Sequence, residues 1–511
     1  MSALSSAWRL VRTLATFERT GAMEVALDAL EAPRAVRIVA RVVGWPLAFL
    51  GLRGDPAMPP VVRALTALGP AYIKFGQLLS TRPDIVGEAL ARDLRVLQDR
   101  LPPFSQDEAE REVHRELGAP VQALFSAFSA PVAAASIAQV HRATARETGR
   151  DVAVKILRPG IERAFLRDVR AFYFAADVIE FLAPAARRLR PRAVVAHFDS
   201  VVQGELDLRL EASAASEFRA NTEADPDFRV PAVIWSLSGR RVLTTEWVEG
   251  IPMGDVDALA AAGHDRRRLA AAIVQNFLRH ALRDGFFHAD MHQGNLKVGS
   301  GGEIIAMDFG IMGRIDPYTR RVYAEILMGF LRRDYLRVAQ VHFEAGYVPA
   351  DRDVYLFAQT LRSIGEPIFG QEASRISMAR LLAHLFDVTE RFGMETRTEL
   401  ILLQRTMVVV EGVGRSLDPS MNMWEVARPV VEDYIRDNLG ARAALRDARE
   451  TLLVLSHFGP RLPGLIRTAL QQASWGRDRD EPETRRGGRG RILLGAVGGA
   501  AAAALAFLLL D

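Results

Sequence analysis

The chain has 511 residues, 49% of them apolar and 25% charged, enough for a two-lobed catalytic domain with substantial extensions. It contains no cysteine, which excludes disulfides, thiolate metal sites and cysteine nucleophiles. The formal net charge of +3 and the lack of any dense Lys/Arg cluster give no ground for nucleic-acid binding.

In the first thirty residues Arg9, Arg12, Glu18 and Arg19 alternate with apolar residues at helical spacing, without the apolar run of a signal peptide. Residues 1–60 therefore read as an amphipathic helical lead-in. Within it, the apolar run Val42 to Leu52 is interrupted by Pro46 and too short to span a bilayer, so a core or interfacial helix is expected. Residues 61–118 continue as helix and carry Ala71-Tyr-Ile-Lys-Phe-Gly-Gln77 and Ser80-Thr-Arg-Pro83.

From about 121 the pattern changes to short apolar runs. Ala138 to Ala143, a turn at Glu147–Arg150 and Val152 to Leu157 read as strand, hairpin turn, strand. A long helical stretch follows to about 220; Glu205 and Glu211 are six apart and are expected on different sides of one helix. Arg241 to Trp247 is β-rich and ends before Gly250 and Pro252. Residues 265–285 are helical, two short segments fill 286–310, and 316 to about 470 is mostly helical. A polar linker, 476–491, precedes the tail, and no internal repeat is present.

Ile492 to Leu510 is a run of nineteen residues without a charge, preceded by Arg485, Arg486, Arg489 and Arg491. At helical rise it spans roughly 28 Å, close to the hydrocarbon thickness of a bilayer. A single C-terminal transmembrane helix is expected, with the basic flank holding the body in the cytoplasm; a buried hydrophobic helix is the alternative.

The densest polar motif is His288-Ala-Asp-Met-His-Gln-Gly-Asn295, followed by Asp308-Phe-Gly310. Phosphoryl transfer needs hard oxygen ligands for Mg²⁺ and a carboxylate beside the nucleophile. Asp290 and Asn295 have the five-residue spacing of a kinase catalytic loop, and Asp308 follows a short apolar run as a metal-binding aspartate should. His288 and His292 raise a histidine–metal site as an alternative, although histidines beside Mg²⁺-type ligands are more often structural.

Of 65 basic residues only Lys74, Lys155 and Lys297 are lysines, and of these Lys74 and Lys155 are the candidates for a role arginine cannot fill. Lys155 ends Val152-Ala-Val-Lys155 on an apolar strand, where an ammonium needs a phosphate or carboxylate partner. Glu205 and Glu211, in the helical stretch that follows, are the candidate carboxylates. In the phosphate loop ahead of the lysine, where kinases carry glycine, Ala133, Ala135 and Ala138 stand, followed by Val140; the loop should be stiffer and its amides less free. Ser136 is placed to cap a turn or reach a phosphate.

With Lys74-Phe-Gly-Gln77, Ala133-Ala-Ala-Ser136, Val152-Ala-Val-Lys155, Glu205-x-Asp207 with Glu211, the Asp290/Asn295 loop and Asp308-Phe-Gly310, the chain resembles the UbiB family of atypical kinases (the ABC1 or AarF type) over nearly its whole length. The resemblance implies an α+β, two-lobed protein-kinase-like fold with an N-terminal helical extension and a C-terminal transmembrane helix. Its divisions would be a lead-in (1–60), a helical Lys-x-Gly-Gln extension (61–118), an N-lobe (119–250), a C-lobe (251–475), a basic linker (476–491) and a transmembrane anchor (492–510). Lys155 would contact phosphates and pair with Glu211, and Asp290 would hold the catalytic-loop position. Asn295 and Asp308 would bind Mg²⁺. Lys74 would meet Glu205 and Asp207 over the active site, excluding protein substrates. ATP or ADP would lie against Ala133, Ala134, Ala135, Ser136, Ala138, Val140 and Lys155, with Glu246 and Val248 at the end of the β-rich run. The implied partners are a membrane lipid or isoprenoid-quinone precursor, with quinone-biosynthesis enzymes and a second copy of the chain held open. The implied setting is the inner membrane.

No Ala-Pro-Glu tripeptide follows Gly310, so a peptide-docking platform is not expected. An ATPase supporting quinone-lipid biosynthesis is the leading expectation. A non-catalytic nucleotide-binding scaffold and a true protein or small-molecule kinase are the alternatives.

Overall fold

The computed structural model describes residues 3–29, 44–80, 86–94, 102–182, 190–369 and 398–439, with a few isolated positions between them. The chain divides into two compact units, 1–436 and 437–511, and only the first three residues of the second are described. The linker 476–491 and the apolar segment 492–510 therefore lie outside the described residues. Among the described residues no helix is long and apolar enough to cross a membrane.

The N-terminal layer is helical: α1 (Ala3–Thr20), α2 (Ala22–Ala29), a 3-10 helix (Trp45–Leu50), α3 (Pro60–Leu68), α4 (Pro70–Ser80) and α5 (Glu88–Leu94). Prolines at Pro60 and Pro70 open α3 and α4, where a missing N–H costs nothing. Helix α6 (Gln106–Leu117) starts on a capping box, Ser105 with Glu108, and stops at left-handed Gly118.

After a single helical turn (Val121–Leu124) come β1 (Phe125–Ala134), β2 (Ala138–Ala145) and β3 (Asp151–Leu157). They form an antiparallel sheet with β5 (Val242–Glu246), in the order β1-β2-β3-β5. The β2–β3 hairpin is the one its alternation predicts. Strand β1 is less legible, because alanine is a weak strand former. It lies at the edge, and its pairing with β2 shifts register three times around Phe128 and Pro131, where an edge strand tolerates proline.

Between β3 and β5 run α7 (Ile161–Leu182), α8 (Pro191–Glu205) and α9 (Leu208–Thr222), then the two-residue strand β4 (Phe228–Arg229). This corrects one expectation. Glu205 and Glu211 lie on two helices, because Asp207 accepts a hydrogen bond from the Arg209 amide and so starts α9 afresh.

The larger lobe is built on α10 (Arg266–Arg279), whose Leu269, Ile273, Val274, Phe277 and Leu278 are all buried. Around it stand β6 (Ile251–Pro252), β7 (Phe286–His288), β8 (Leu296–Val298), β9 (Ile304–Ala306) and β10 (Met312–Arg314). Strands β4, β9, β8 and β6 form one small sheet, and β7 pairs with β10. Helices α11 (Pro317–Arg332), α12 (Tyr335–Glu344), α13 (Val354–Phe369), α14 (Thr398–Leu417) and α15 (Met423–Leu439) complete the lobe. One apolar core joins α10 to α11, α12 and α14.

Candidate active site

The site is assembled across the N-terminal sheet. Register aligns Ala133 with Val140, Val140 with Lys155, and Lys155 with Leu243. Directly paired residues project to the same side of a sheet, so Ala133, Val140 and Lys155 share one face.

From that row the Lys155 ammonium reaches both carboxylate oxygens of Glu211, at 2.7 and 2.8 Å, and Asp308 Oδ2 at 3.3 Å. Burial works against the lysine charge, but Asp308 and Glu211 outweigh it and hold its pKa above the ordinary value. Burial would also raise Asp308, yet the Lys155 ammonium and the Gly310 amide keep its carboxyl well below the usual range. The same burial pushes Glu211 up, so Asp308 is the more acidic of the two carboxyls that share the lysine.

Asp308 follows β9, and the Gly310 amide donates to its Oδ1 at 2.9 Å. The catalytic loop connects β7 to β8. Asn295 Nδ2 donates to the Asp290 carbonyl at 3.1 Å and lies 3.4 Å from its carboxylate. The Met307 amide donates to the Asn295 carbonyl at 3.1 Å, joining this loop to the strand end that carries Asp308.

Both histidines bond backbone, and the His292 Nε2 lies 3.7 Å from the Asp290 carboxylate. His288 Nδ1 accepts from the Asp290 amide at 3.1 Å, and its Nε2 bonds the Asp308 carbonyl. Both ring nitrogens are thus spent on backbone, which fixes a neutral tautomer; burial lowers its pKa to match. His292 Nδ1 accepts from the Gly294 amide at 3.0 Å and caps a turn. Among the described residues no group of three or more His, Cys, Asp or Glu forms a metal cage. Asn295 and Asp308 fit Mg²⁺ as a partial ligand set, because that ion usually takes its remaining ligands from phosphate and water. The Asp308 side chain is 46% exposed, so its carboxylate is open to such a ligand.

Other expected positions behave differently. Ser136 is fully buried, and Ala138 is buried beside it. The hairpin closes with the Ala135 amide donating to the Ala138 carbonyl at 2.8 Å. Arg158 clamps it, donating to the Ala135 carbonyl at 3.0 and 3.2 Å and to the Pro102 carbonyl at 2.8 Å. Ala134 ends β1 at the mouth of this hairpin. The Glu246 side chain pairs with Arg229, and Val248 is buried with its carbonyl bonded by Lys297 at 3.2 Å.

In the extension, Lys74 on α4 lies 3.2 Å from Glu205 Oε2 at the end of α8. Gln77 donates to the Leu97 carbonyl at 3.2 Å. A Cβ at Gly76 would overlap the Leu97 and Leu65 side chains, which explains glycine between them. Asp207 caps α9 and pairs with Arg209 at 2.6 Å.

Thr406, fully buried on α14, places its hydroxyl 3.0 Å from the Ala289 carbonyl inside the catalytic loop. Thr406, Arg158 and Lys297 were not foreseen as site residues: each bonds a backbone carbonyl, which carries no residue signature.

Residues 96–342 match the model of the ABC1 atypical kinase-like domain, and 361–422 match the UbiB helical domain. A protein of Marinobacter nauticus described as "Probable protein kinase UbiB" is 42% identical over 414 residues, covering 80% of this chain and 76% of the relative. The chain belongs to the UbiB family of atypical kinase-like proteins. A relative of the same description from Xanthomonas campestris pv. campestris is 43% identical over 425 residues, covering 81% of this chain and 76% of its own. Among solved structures, Rv3197 of Mycobacterium tuberculosis in complex with erythromycin is 26% identical with a TM-score of 0.52, covering 70% of this chain and 90% of that one. Thr406 falls inside the UbiB helical domain, which thereby reaches the catalytic loop.

Proposed function

We propose that this UbiB-family chain is a Mg²⁺- and nucleotide-dependent ATPase or phosphotransferase that supports isoprenoid-quinone biosynthesis at a membrane. The observation that carries the reading is the joint placement of Lys155 between Glu211 and Asp308, with Asn295 tied to Asp290. These five side chains, from four segments of the chain, supply the groups phosphoryl transfer needs, with little covalent work left to the protein.

In this reading Lys155 holds phosphate oxygens and Glu211 keeps the lysine in place. Asp290 orients the attacking oxygen or takes its proton. Asn295 and Asp308 hold Mg²⁺, which when bound neutralises phosphate charge. Lys74 and Glu205 fasten the N-terminal extension to the small lobe, which leaves a small molecule or water rather than a protein as the acceptor. The Arg-flanked segment 492–510 anchors the chain in the inner membrane with its body in the cytoplasm.

The test is the isoprenoid-quinone content of cells lacking this protein, resupplied with wild type or Asp308→Asn. Rescue by wild type alone is expected. Rescue by both would favour a nucleotide-binding scaffold, a reading to which the Arg158-clamped alanine hairpin lends support. Unchanged quinone in the deletion strain would remove the pathway.

A further inference from the structure

The 3-10 helix Trp45–Leu50 reads Trp-Pro-Leu-Ala-Phe-Leu, six apolar residues, and not one of them is buried. Trp45 is 75% exposed and Phe49 73%; just before them Ile38 is 64% and Val42 66% exposed. Water-facing apolar side chains so close together mark an interaction surface. The sequence allowed a core helix or an interfacial one here, and this exposure excludes the core.

The surface is held firmly. Arg19 on α1 donates to the Gly51 carbonyl at 2.7 Å and the Phe49 carbonyl at 3.2 Å. The Leu52 amide donates to Thr16 Oγ1 at 3.1 Å, and a Cβ at Gly51 would overlap the Ala15 carbonyl. Helix α1 is itself fixed to the body by Thr13, 2.6 Å from the Tyr72 hydroxyl, and by the Arg9–Asp168 pair. Tyr72 stands on α4, two residues before Lys74.

Charge selects the occupant. Among the described residues Arg19 donates to the Phe49 carbonyl and Arg53 is exposed just after the segment, against Glu18 beside Gly44, while Arg37 is paired with Asp28. In sequence, four arginines and no carboxylate lie between Glu31 and Asp55. A second copy would bring the same positive charge to the same face, which opposes a symmetric contact. A tryptophan and a phenylalanine in basic surroundings suit the boundary between headgroups and acyl chains of an anionic bilayer. We infer that Trp45 and Phe49, with Ile38 and Val42 beside them, insert into the interface of an anionic lipid surface. This contact is separate from the proposed C-terminal anchor and does not rest on it. It would fix the orientation of the catalytic body on the bilayer, which a single tether leaves free.

The experiment uses the full chain in phosphatidylcholine vesicles with brominated acyl chains, with and without phosphatidylglycerol. The Trp45 signal is the difference between wild type and Trp45→Phe. Bromine is expected to quench it, more strongly with phosphatidylglycerol, and Phe49→Glu is expected to reduce the quenching about threefold or more. Circular dichroism of both variants should match wild type, because both side chains project from the surface. A Trp45 signal that bromine leaves untouched overturns the proposal even where the full chain stays vesicle-bound through its tail. So does equal quenching with and without phosphatidylglycerol, or a dimer in detergent that Phe49→Glu dissolves. None of these outcomes touches the nucleotide site, so the proposed activity stands or falls separately.

Discussion

Lys155 binds both oxygens of Glu211 and one of Asp308, so a single ammonium couples the small-lobe sheet, helix α9 and the strand end that follows β9. Replacing it with methionine leaves two carboxyls facing one another without a counter-charge. We expect Lys155→Met to lower stability by about 2 kcal/mol, below the range for fully buried pairs. Nucleotide affinity should fall about tenfold or more, since a charge-assisted contact to phosphate is lost. Thermal unfolding and titration with a fluorescent nucleotide read the two effects separately. Undiminished affinity would remove the phosphate-binding role and leave Lys155 a structural tie.

Lys74 and Glu205 form a second lysine–carboxylate pair, 3.2 Å apart and largely enclosed, between the extension and the small lobe. Lys74→Glu should cost about 2 kcal/mol by opposing two acids in a confined place. The double variant Lys74→Glu with Glu205→Lys should recover most of that stability. Turnover distinguishes the roles. If the pair only fastens α4 to α8, phosphate release returns with stability in the double variant. If the Lys74 ammonium acts on nucleotide or substrate, stability returns and phosphate release does not.

How far the site could be read from the sequence depends on what each residue bonds. The β2–β3 hairpin follows from alternation and its turn, and Lys155, Asp290, Asn295 and Asp308 follow from motif spacing and from the scarcity of lysine. The contact of Lys155 with Asp308 is between side chains, so both partners leave a mark in the sequence. The break between Glu205 and Glu211 was signalled by Asp207, a strong N-cap residue, but an apolar-periodic stretch on both sides hides it. Lys297, Arg158 and Thr406 bond the carbonyls of Val248, Ala135 and Ala289. A carbonyl is the same at every residue, so only the fold reveals such anchors. Burial is a further case: the run Trp45–Leu50 is apolar enough for a core, and composition alone could not say that it faces outward.

His342 supplies a pH test away from the site. It is buried, with Nδ1 2.8 Å from the Val338 carbonyl and its ring against Tyr347 and Phe357. Burial without a counter-charge lowers its pKa to about 4. Between the ordinary histidine value near 6.5 and this lowered one, the unfolded chain binds a proton that the folded chain refuses. Stability attributable to His342 is therefore constant above that window and falls as pH drops through it, by about 3 kcal/mol in all. Carboxylates add their own losses at the acid end, so the comparison is with His342→Phe. Denaturant unfolding at a series of pH values should show wild type losing stability faster than the variant across the window. Parallel curves would mean that the buried ring is protonated without penalty.

Thr406 links the helical domain to the chemistry. Its hydroxyl lies 3.0 Å from the Ala289 carbonyl, one residue before Asp290, and 2.8 Å from the Leu402 carbonyl of its own helix. The one hydroxyl proton is shared between these two carbonyls, and the Ala289 amide is committed to the Ile311 carbonyl at 3.0 Å, so this stretch of loop is held from both sides. Thr406→Val keeps the shape and removes the donor, which should cost about 1 kcal/mol of stability. With one grip released, Asp290 is held less closely, and a misplacement well under 1 Å is enough to slow phosphate release about tenfold. Nucleotide affinity should change little, because Lys155 and Asp308 are held by other contacts. Thr406→Ser restores the hydroxyl and should recover turnover. A valine variant that is less stable, yet releases phosphate at the wild-type rate per folded molecule, would make this bond part of the fold alone.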